Sequence, residues 1–495
     1  MNSKSAYAAL SEHFRDVVAL GQISGLLGWD QETIMPSGSA PQRAEWMSTL
    51  EKVSHAQRTD PRIADWLDAV NPEALTQAEA ANVRLITHQF ERQSKVPSAL
   101  ATQIARVTSQ AQGIWAKARE ANDFSMFQSV LTEVLDLRRQ EAAALADSGN
   151  LYDALLEDYE PGMQEPELAA LLGGLRDGLV ELREKAVNSG TEIPTLAGKF
   201  SRDQQTMIAR ELATAFGYDW KRGRLDFSVH PFSSGSFNDV RITTRVSEED
   251  PFNCFYSTIH EVGHAAYEQG IDQSFGLSML GRGVSMGVHE SQSRILENQL
   301  GRSRAFTGYL FRQMRNVFGD FGIDDENTFY RVVNRMDRGY IRTEADEVQY
   351  NLHVSLRFDL ERQLISGALE VADLESAWNE RFEADFGYPV DKPSNGVLQD
   401  VHWSVGLFGY FPTYSLGNIY AGELYDKLSD EVPDLHDDLG QGKTQNALAW
   451  LGQNIHQHGS LYEPRDTIKR AVGHAPKSAP LLTYLNKKFS DIYEL

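Results

Sequence analysis

Cysteine is almost missing from this 495-residue chain, where Cys254 stands alone. That excludes an internal disulfide framework and any metal cluster built on several thiolates. Positive charge is also short: 47 Lys and Arg face 70 Asp and Glu, a formal net charge of −23. Nucleic-acid binding, which needs clustered cations to displace counterions from phosphates, is therefore not expected. No apolar run approaches the ~18–20 residues of a membrane span, so no membrane partner is expected either. The first residues, Met-Asn-Ser-Lys-Ser, lack a basic segment leading into an apolar core, and the apolar patch from Val17 to Trp29 is broken by Gln22. That patch reads as helix rather than signal peptide, and a cytoplasmic location is expected.

Hydrophobic residues make up 41% of the chain, enough to build a sizeable core. In the first part Leu10, Phe14, Val17 and Val18 recur at helical spacing, as do Phe127, Val130, Leu131, Val134 and Leu135. Ser125 and Gln128 read as a capping box at the start of the second set. Pro166 opens a third stripe, Leu168, Leu171, Leu172, Leu175, Leu179 and Leu182. The segment Asn188 to Lys199, with Gly190, Pro194 and Gly198, reads as a connector. Beyond it Leu225, Phe227 and Val229 alternate with polar residues, as do Val240, Ile242 and Thr244 after Ser233-Ser234-Gly235-Ser236. This predicts a β-hairpin whose turn is the Ser/Gly segment. Helical patterning then continues to the end. The expectation is a mainly α protein with a small sheet, organised as an N-terminal helical region (1–195), a catalytic region (196–420) and a C-terminal helical region (421–495).

The sharpest feature is His260-Glu261-Val262-Gly263-His264, an H-E-x-x-H motif. On a helix, residues four apart lie on one face, so two imidazoles can grip one ion while Glu261 points at its open position. A catalytic zinc needs three protein ligands and a fourth position for water, whose pKa it lowers to about 7. The same pattern also occurs by chance on helices whose histidines are merely satisfied. Downstream, His289-Glu290-Ser291-Gln292-Ser293-Arg294 begins another helical pattern that stops near Gly301. Glu290 is the natural third ligand; Glu268 and Glu297 are weaker candidates. An edge strand of the hairpin, flanked by His230-Pro231-Phe232 and Asp239-Val240-Arg241-Ile242-Thr243, could pair with an extended peptide. Two more clusters stand out: Ile341-Arg342-Thr343-Glu344-Ala345-Asp346, and Gly396 to Trp403 followed by Phe408, Tyr410, Phe411 and Tyr414. Either could equally be core packing with salt bridges. His456 and His458 read as surface residues.

Taken together and in this order, H-P-F, D-x-R-x-T, H-E-x-x-H, H-E-S-Q, I-R-x-x-A-D and G-x-x-Q-D-x-H-W, at 230–232, 239–243, 260–264, 289–292, 341–346 and 396–403, resemble the carboxypeptidase Taq family of zinc metallocarboxypeptidases. Trp29-Asp30-Gln31-Glu32-Thr33, Gly409 to Tyr414, Asn454-Ile455-His456 and Tyr462-Glu463-Pro464 extend the likeness over nearly the whole chain. The resemblance implies a large helical metallopeptidase fold with a small mixed sheet beside a deep active-site groove, and a homodimer. It implies one zinc per chain, replaceable by cobalt, and removal of single residues from peptide C-termini with broad specificity but poor action near proline. His260, His264 and Glu290 would then hold the metal and Glu261 would serve as the base. Tyr410, Tyr414 or His230 would stabilise the oxyanion, with His402 also placed among the substrate contacts. A free C-terminal carboxylate calls for an arginine, for which Arg342 is the first choice and Arg241 the rival. An endo-acting zinc oligopeptidase is the alternative enzyme, and a helical scaffold with a vestigial metal site is the alternative outside enzymes.

Overall fold

The computed structural model describes residues 2–146 and 149–495. The chain forms two compact units, each drawn from three stretches of sequence: Met1–Ser94, Pro194–Val333 and Leu424–His474 in the first, and Lys95–Ile193, Asn334–Glu423 and Ala475–Leu495 in the second. Helices dominate both. Among the described residues no helix is long and apolar enough to cross a membrane.

The first unit holds the sheet and the H-E-x-x-H helix. Its opening helix, Ser3–Thr33, buries Leu10, Phe14 and Val17 against Ile63, Ile86 and Met279, as the helical spacing predicts. The sheet has three strands, β1 (Leu225–Phe227), β2 (Ser233–Ser236) and β3 (Asp239–Thr244), in the order β1-β3-β2. This corrects the predicted hairpin. The Ser/Gly segment is itself a strand, antiparallel to β3, while Leu225–Phe227 pairs parallel to β3 on its other side. The true reversal is the two-residue loop between Ser236 and Asp239, where Phe237 takes a left-handed φ of 54°. Three serines and a glycine carry no period-2 hydrophobic signal, so the pattern hid the strand. On β3, Val240, Ile242 and Thr244 are fully buried. Thr244 Oγ1 donates to Cys254 O at 3.1 Å, tying the sheet to the H-E-x-x-H helix.

The second unit is helical. Ser125–Leu145 buries Phe127, Leu131, Val134 and Leu135, and Glu165–Asn188 buries Leu168, Leu172, Leu175, Leu179 and Leu182, with Pro166 in its first turn. The predicted capping box is not formed: Asp123 Oδ1 instead accepts from Ser125 N at 2.9 Å and Ser125 Oγ at 2.6 Å. Against these packs Glu347–Ser366, buried almost all round, as a central helix must be. Its cap is Asp346, which accepts from Val348 N and Gln349 N.

Candidate metal centre

The H-E-x-x-H helix, Pro251–Gly270, starts on Asp250, whose side chain accepts from Phe252 N, with Pro251 in the first turn where no N–H is needed. Cys254, Phe255, Ile259, Val262 and Ala265 are fully buried, so the helix is fixed from several sides. The helix that carries Glu290, Met286–Arg294, is capped by Ser285 on Val288 N. Gly263 lets these two helices touch: a Cβ there would lie 2.4 Å from Gln292 O and 2.5 Å from Ser293 Cα. A side chain would push Glu290 away from the imidazoles.

Ligand atoms of His260, His264 and Glu290 all lie within 4.8 Å of one another. Glu290 Oε2 is 3.7 Å from His260 Nε2 and 3.5 Å from His264 Nε2. Tetrahedral ligands about 2.1 Å from a zinc ion stand roughly 3.4 Å apart, so the donor set fits such an ion. Both imidazoles are turned by their other nitrogen. His260 Nδ1 meets Glu297 Oε2 at 2.8 Å, and His264 Nδ1 meets His289 Nδ1 at 2.6 Å. The Glu290 Oε1 atom accepts from Arg294 Nε at 2.7 Å, and Arg294 also reaches Glu297 at 3.3 Å.

The electrostatics follow from burial and these neighbours. Burial raises the Glu290 carboxyl, but Arg294 and the two imidazoles outweigh it and hold it well below the usual range. Glu297 is likewise held at about 2, burial being outweighed by His260 and Arg294. Burial works against protonation of His260, yet Glu290 and Glu297 raise it overall. His264 is depressed to about 3, by burial first and then by the nearby His289 and His260. Glu261 differs in kind. It is 6% exposed, and among the described residues no hydrogen bond reaches its carboxyl. Burial pushes it up to about 7, only partly opposed by His260. A carboxyl poised near neutrality suits proton transfer in both directions.

The second unit holds Arg342, His402, Tyr410 and Tyr414. Arg342, 5% exposed, does not bridge Glu344 or Asp346. Its Nη2 donates to Asp400 Oδ1 at 2.9 Å and its Nη1 to Tyr350 OH at 3.1 Å. Asp400 also receives Arg357 Nε at 2.7 Å and Arg357 Nη2 at 2.5 Å. Two guanidiniums thus share one carboxylate. His402 Nε2 lies 3.3 Å from Tyr414 OH, and its ring packs 4.3 Å from Phe411. Tyr410 makes edge contacts with Tyr414 (5.3 Å) and Tyr159 (5.1 Å). Glu361, fully buried, accepts from Trp403 Nε1, Tyr152 OH and Gly409 N, which explains the Trp and Gly of the two aromatic motifs.

Residues 9–489 match the family of carboxypeptidase Taq (M32) metallopeptidases. The chain belongs to that family. It is 40% identical to thermostable carboxypeptidase 1 of Thermus thermophilus over the whole of both chains. It is 33% identical to carboxypeptidase 1 of Bacillus subtilis, covering 98% of this chain and 96% of that one. Among solved structures, the M32 carboxypeptidase from Deinococcus radiodurans R1 superimposes with a TM-score of 0.96 at 37% identity, covering 99% of this chain and 100% of that one. The protein is a metallocarboxypeptidase with a mainly helical fold.

Within this M32 chain several signature residues are scaffold. Thr243 Oγ1 accepts from Phe232 N at 2.8 Å and from Ser228 Oγ at 2.7 Å, joining the H-P-F and D-x-R-x-T motifs. Arg241 pairs with Asp239 at 2.7 Å and lies 4.2 Å over the Trp29 ring. Asp30 pairs with Arg43. His230 is exposed. His456 corrects the surface reading: it is 5% exposed, with Nε2 2.9 Å from Gln292 Oε1, while His458 is half-buried. Glu297 and Glu268, ranked below Glu290 as ligands, hold the imidazole side of the centre; Glu297 does so directly, from the first turn of a π-helical segment, Ile295–Gly301.

Proposed function

We propose that this M32 enzyme is a zinc carboxypeptidase that removes single residues from the free C-terminus of peptides, with broad specificity and little action near proline. It works as a cytoplasmic homodimer, and cobalt can replace zinc. The observation that carries the reading is the convergence of His260 Nε2, His264 Nε2 and Glu290 Oε2 beside a buried Glu261 carboxyl that no hydrogen bond reaches among the described residues. When bound, the metal supplies Lewis acidity that activates water and polarises a carbonyl. Glu261 takes the proton of the attacking water on its carboxylate and passes it to the leaving amine nitrogen. Arg342 receives the terminal carboxylate. His230, His402, Tyr410 and Tyr414 supply the remaining polar contacts, the oxyanion donor among them.

The charge of the Arg342 cluster supports its part: Arg342 and Arg357 share the single carboxylate of Asp400, so one positive charge is left for an anion. Removing Arg342 leaves Arg357 and Asp400 matched, so the fold should survive its loss. Parent enzyme should cleave a peptide acid and reject its C-terminal amide. Arg342→Ala should lower kcat/KM on the acid by about 10- to 150-fold, the worth of one lost charge-assisted contact, and lose most of the preference. Product masses and metal analysis of the purified protein complete the test. Efficient internal cleavage of the amide by the parent would refute the carboxypeptidase mode, and an unchanged preference in the variant would refute Arg342.

A further inference from the structure

We infer that His289 and Glu268 are positioning residues that fix the tautomer of the metal ligand His264, an inference that rests on the metal reading above. In that reading His264 gives the lone pair of Nε2, the nitrogen 3.5 Å from Glu290 Oε2, to the ion, so its proton sits on Nδ1. That nitrogen lies 2.6 Å from His289 Nδ1. Two ring nitrogens this close share one proton, so His289 Nδ1 must be bare. The proton of the His289 ring then sits on Nε2, which lies 3.0 Å from Glu268 Oε1. A carboxylate oxygen can only accept, so Glu268 enforces this arrangement. The same oxygen accepts from Gly283 N at 2.9 Å, which locks the carboxylate.

The surroundings keep His289 from turning. The Tyr267 ring lies 5.2 Å from its ring. On the opposite chain segment Gly283 has no side chain, and a Cβ there would stand 2.5 Å from His289 Cδ2. The imidazole is thus seated against bare backbone. The two metal imidazoles therefore have unlike supports. On the Nδ1 side His260 leans directly on the carboxylate of Glu297, whereas His264 reaches a carboxylate there only through a second ring. Such outer partners typically change metal affinity by 10- to 100-fold when lost.

The test is zinc affinity of the full-length protein, measured by competition with a chromophoric chelator, with circular dichroism to confirm folding. His289→Leu removes the acceptor and should weaken zinc about 10- to 100-fold. His289→Asn places Oδ1 near the position of Nδ1 and should restore affinity to within about threefold. Ring ¹⁵N shifts of the zinc-loaded parent should show His289 protonated at Nε2 and His264 at Nδ1. Equal affinity of parent and His289→Leu, an Asn variant as weak as Leu, or a His289 protonated at Nδ1 would each overturn the relay. If the Leu variant does not fold, the Asn variant and the ring shifts decide. A parent that binds no zinc refutes the metal reading instead, so the two failures are distinct.

Discussion

Replacing Asp400 with Asn should destabilise the second unit by about 3–5 kcal/mol, the cost of breaking a buried ion pair from one side. The structure sets the size. Arg357 is fully buried and Arg342 5% exposed, and Asp400 receives both, at 2.5 and 2.9 Å. At an effective dielectric constant of about 20, each pair with charge centres near 4 Å gains about 4 kcal/mol. The amide recovers about 1 kcal/mol as a neutral acceptor, but it leaves two guanidiniums facing each other. Urea unfolding is the assay, read by fluorescence, because Trp378 lies 4.6 Å from Arg357 and so reports on the cluster. The pH dependence adds a check. Burial raises the Asp400 carboxyl, but Arg342 and Arg357 hold it far below its ordinary 3.8. Its contribution is therefore full above pH about 5 and drains as pH falls from the unfolded value towards the much lower folded one, so the gap between parent and variant should narrow in acid. Adding Arg357→Met to Asp400→Asn should recover at least about 1 kcal/mol by removing one unpaired charge. A loss below about 1 kcal/mol at pH 7, or no recovery in the double variant, would refute the buried-charge argument.

Three other outcomes are expected. Glu261→Gln keeps the shape but cannot take a proton, so zinc should stay bound while kcat falls about 10²- to 10⁴-fold; parent-like turnover would show Glu261 to be structural. His456 is depressed from 6.5 to about 3 by burial, with His289 adding to it, so the unfolded chain gains a proton first as pH drops. Its contribution is full above pH 6.5, and about 2 kcal/mol should be gone at pH 5; His456→Gln, which keeps a donor for Gln292, should show a pH 7.5-to-5 loss smaller by that amount in urea titrations. Chelation should release the metal from the parent and abolish peptide cleavage, with zinc restoring it; full activity in metal-free protein would exclude His260, His264 and Glu290 as essential ligands.

The grouping of His260, His264 and Glu290 was legible where residue type and spacing alone decide. Two imidazoles four apart on a helix must share a face, and the next carboxylate opening a downstream helix is a natural third ligand. The stripes of Leu10, Phe14 and Val17, or of Leu168 through Leu182, were legible for the same reason: period 3.6 maps straight onto burial. What stayed hidden depends on partners distant in sequence. Arg342 carries acidic neighbours at Glu344 and Asp346, yet Asp346 is consumed in capping the next helix, and the guanidinium pairs with Asp400, 58 residues away. His456, in a C-terminal stretch with no companion ligands, is buried against Gln292, 164 residues earlier. The strand Ser233–Ser236 was invisible because its pairing rests on backbone bonds to β3, not on side chains that alternate.

A ranking of carboxylates by position shows where such reading must stop. Glu268, Glu290 and Glu297 are the same residue type near the same two histidines, and a pattern can only order them by distance along the chain. The structure separates them by which imidazole nitrogen each one meets. Glu290 faces Nε2 of both rings, Glu297 faces Nδ1 of one, and Glu268 reaches Nδ1 of the other through His289. That division needs the ligand helix to pass close to Gly263 and the chain after it to wind as a π-helix, so that Glu297 returns to the His260 side. Neither Gly263, an arbitrary position in H-E-x-x-H, nor the π turn has a mark of its own in the pattern. Both are consequences of packing, and they decide which carboxylate faces both Nε2 atoms and which stand on the Nδ1 side of the rings.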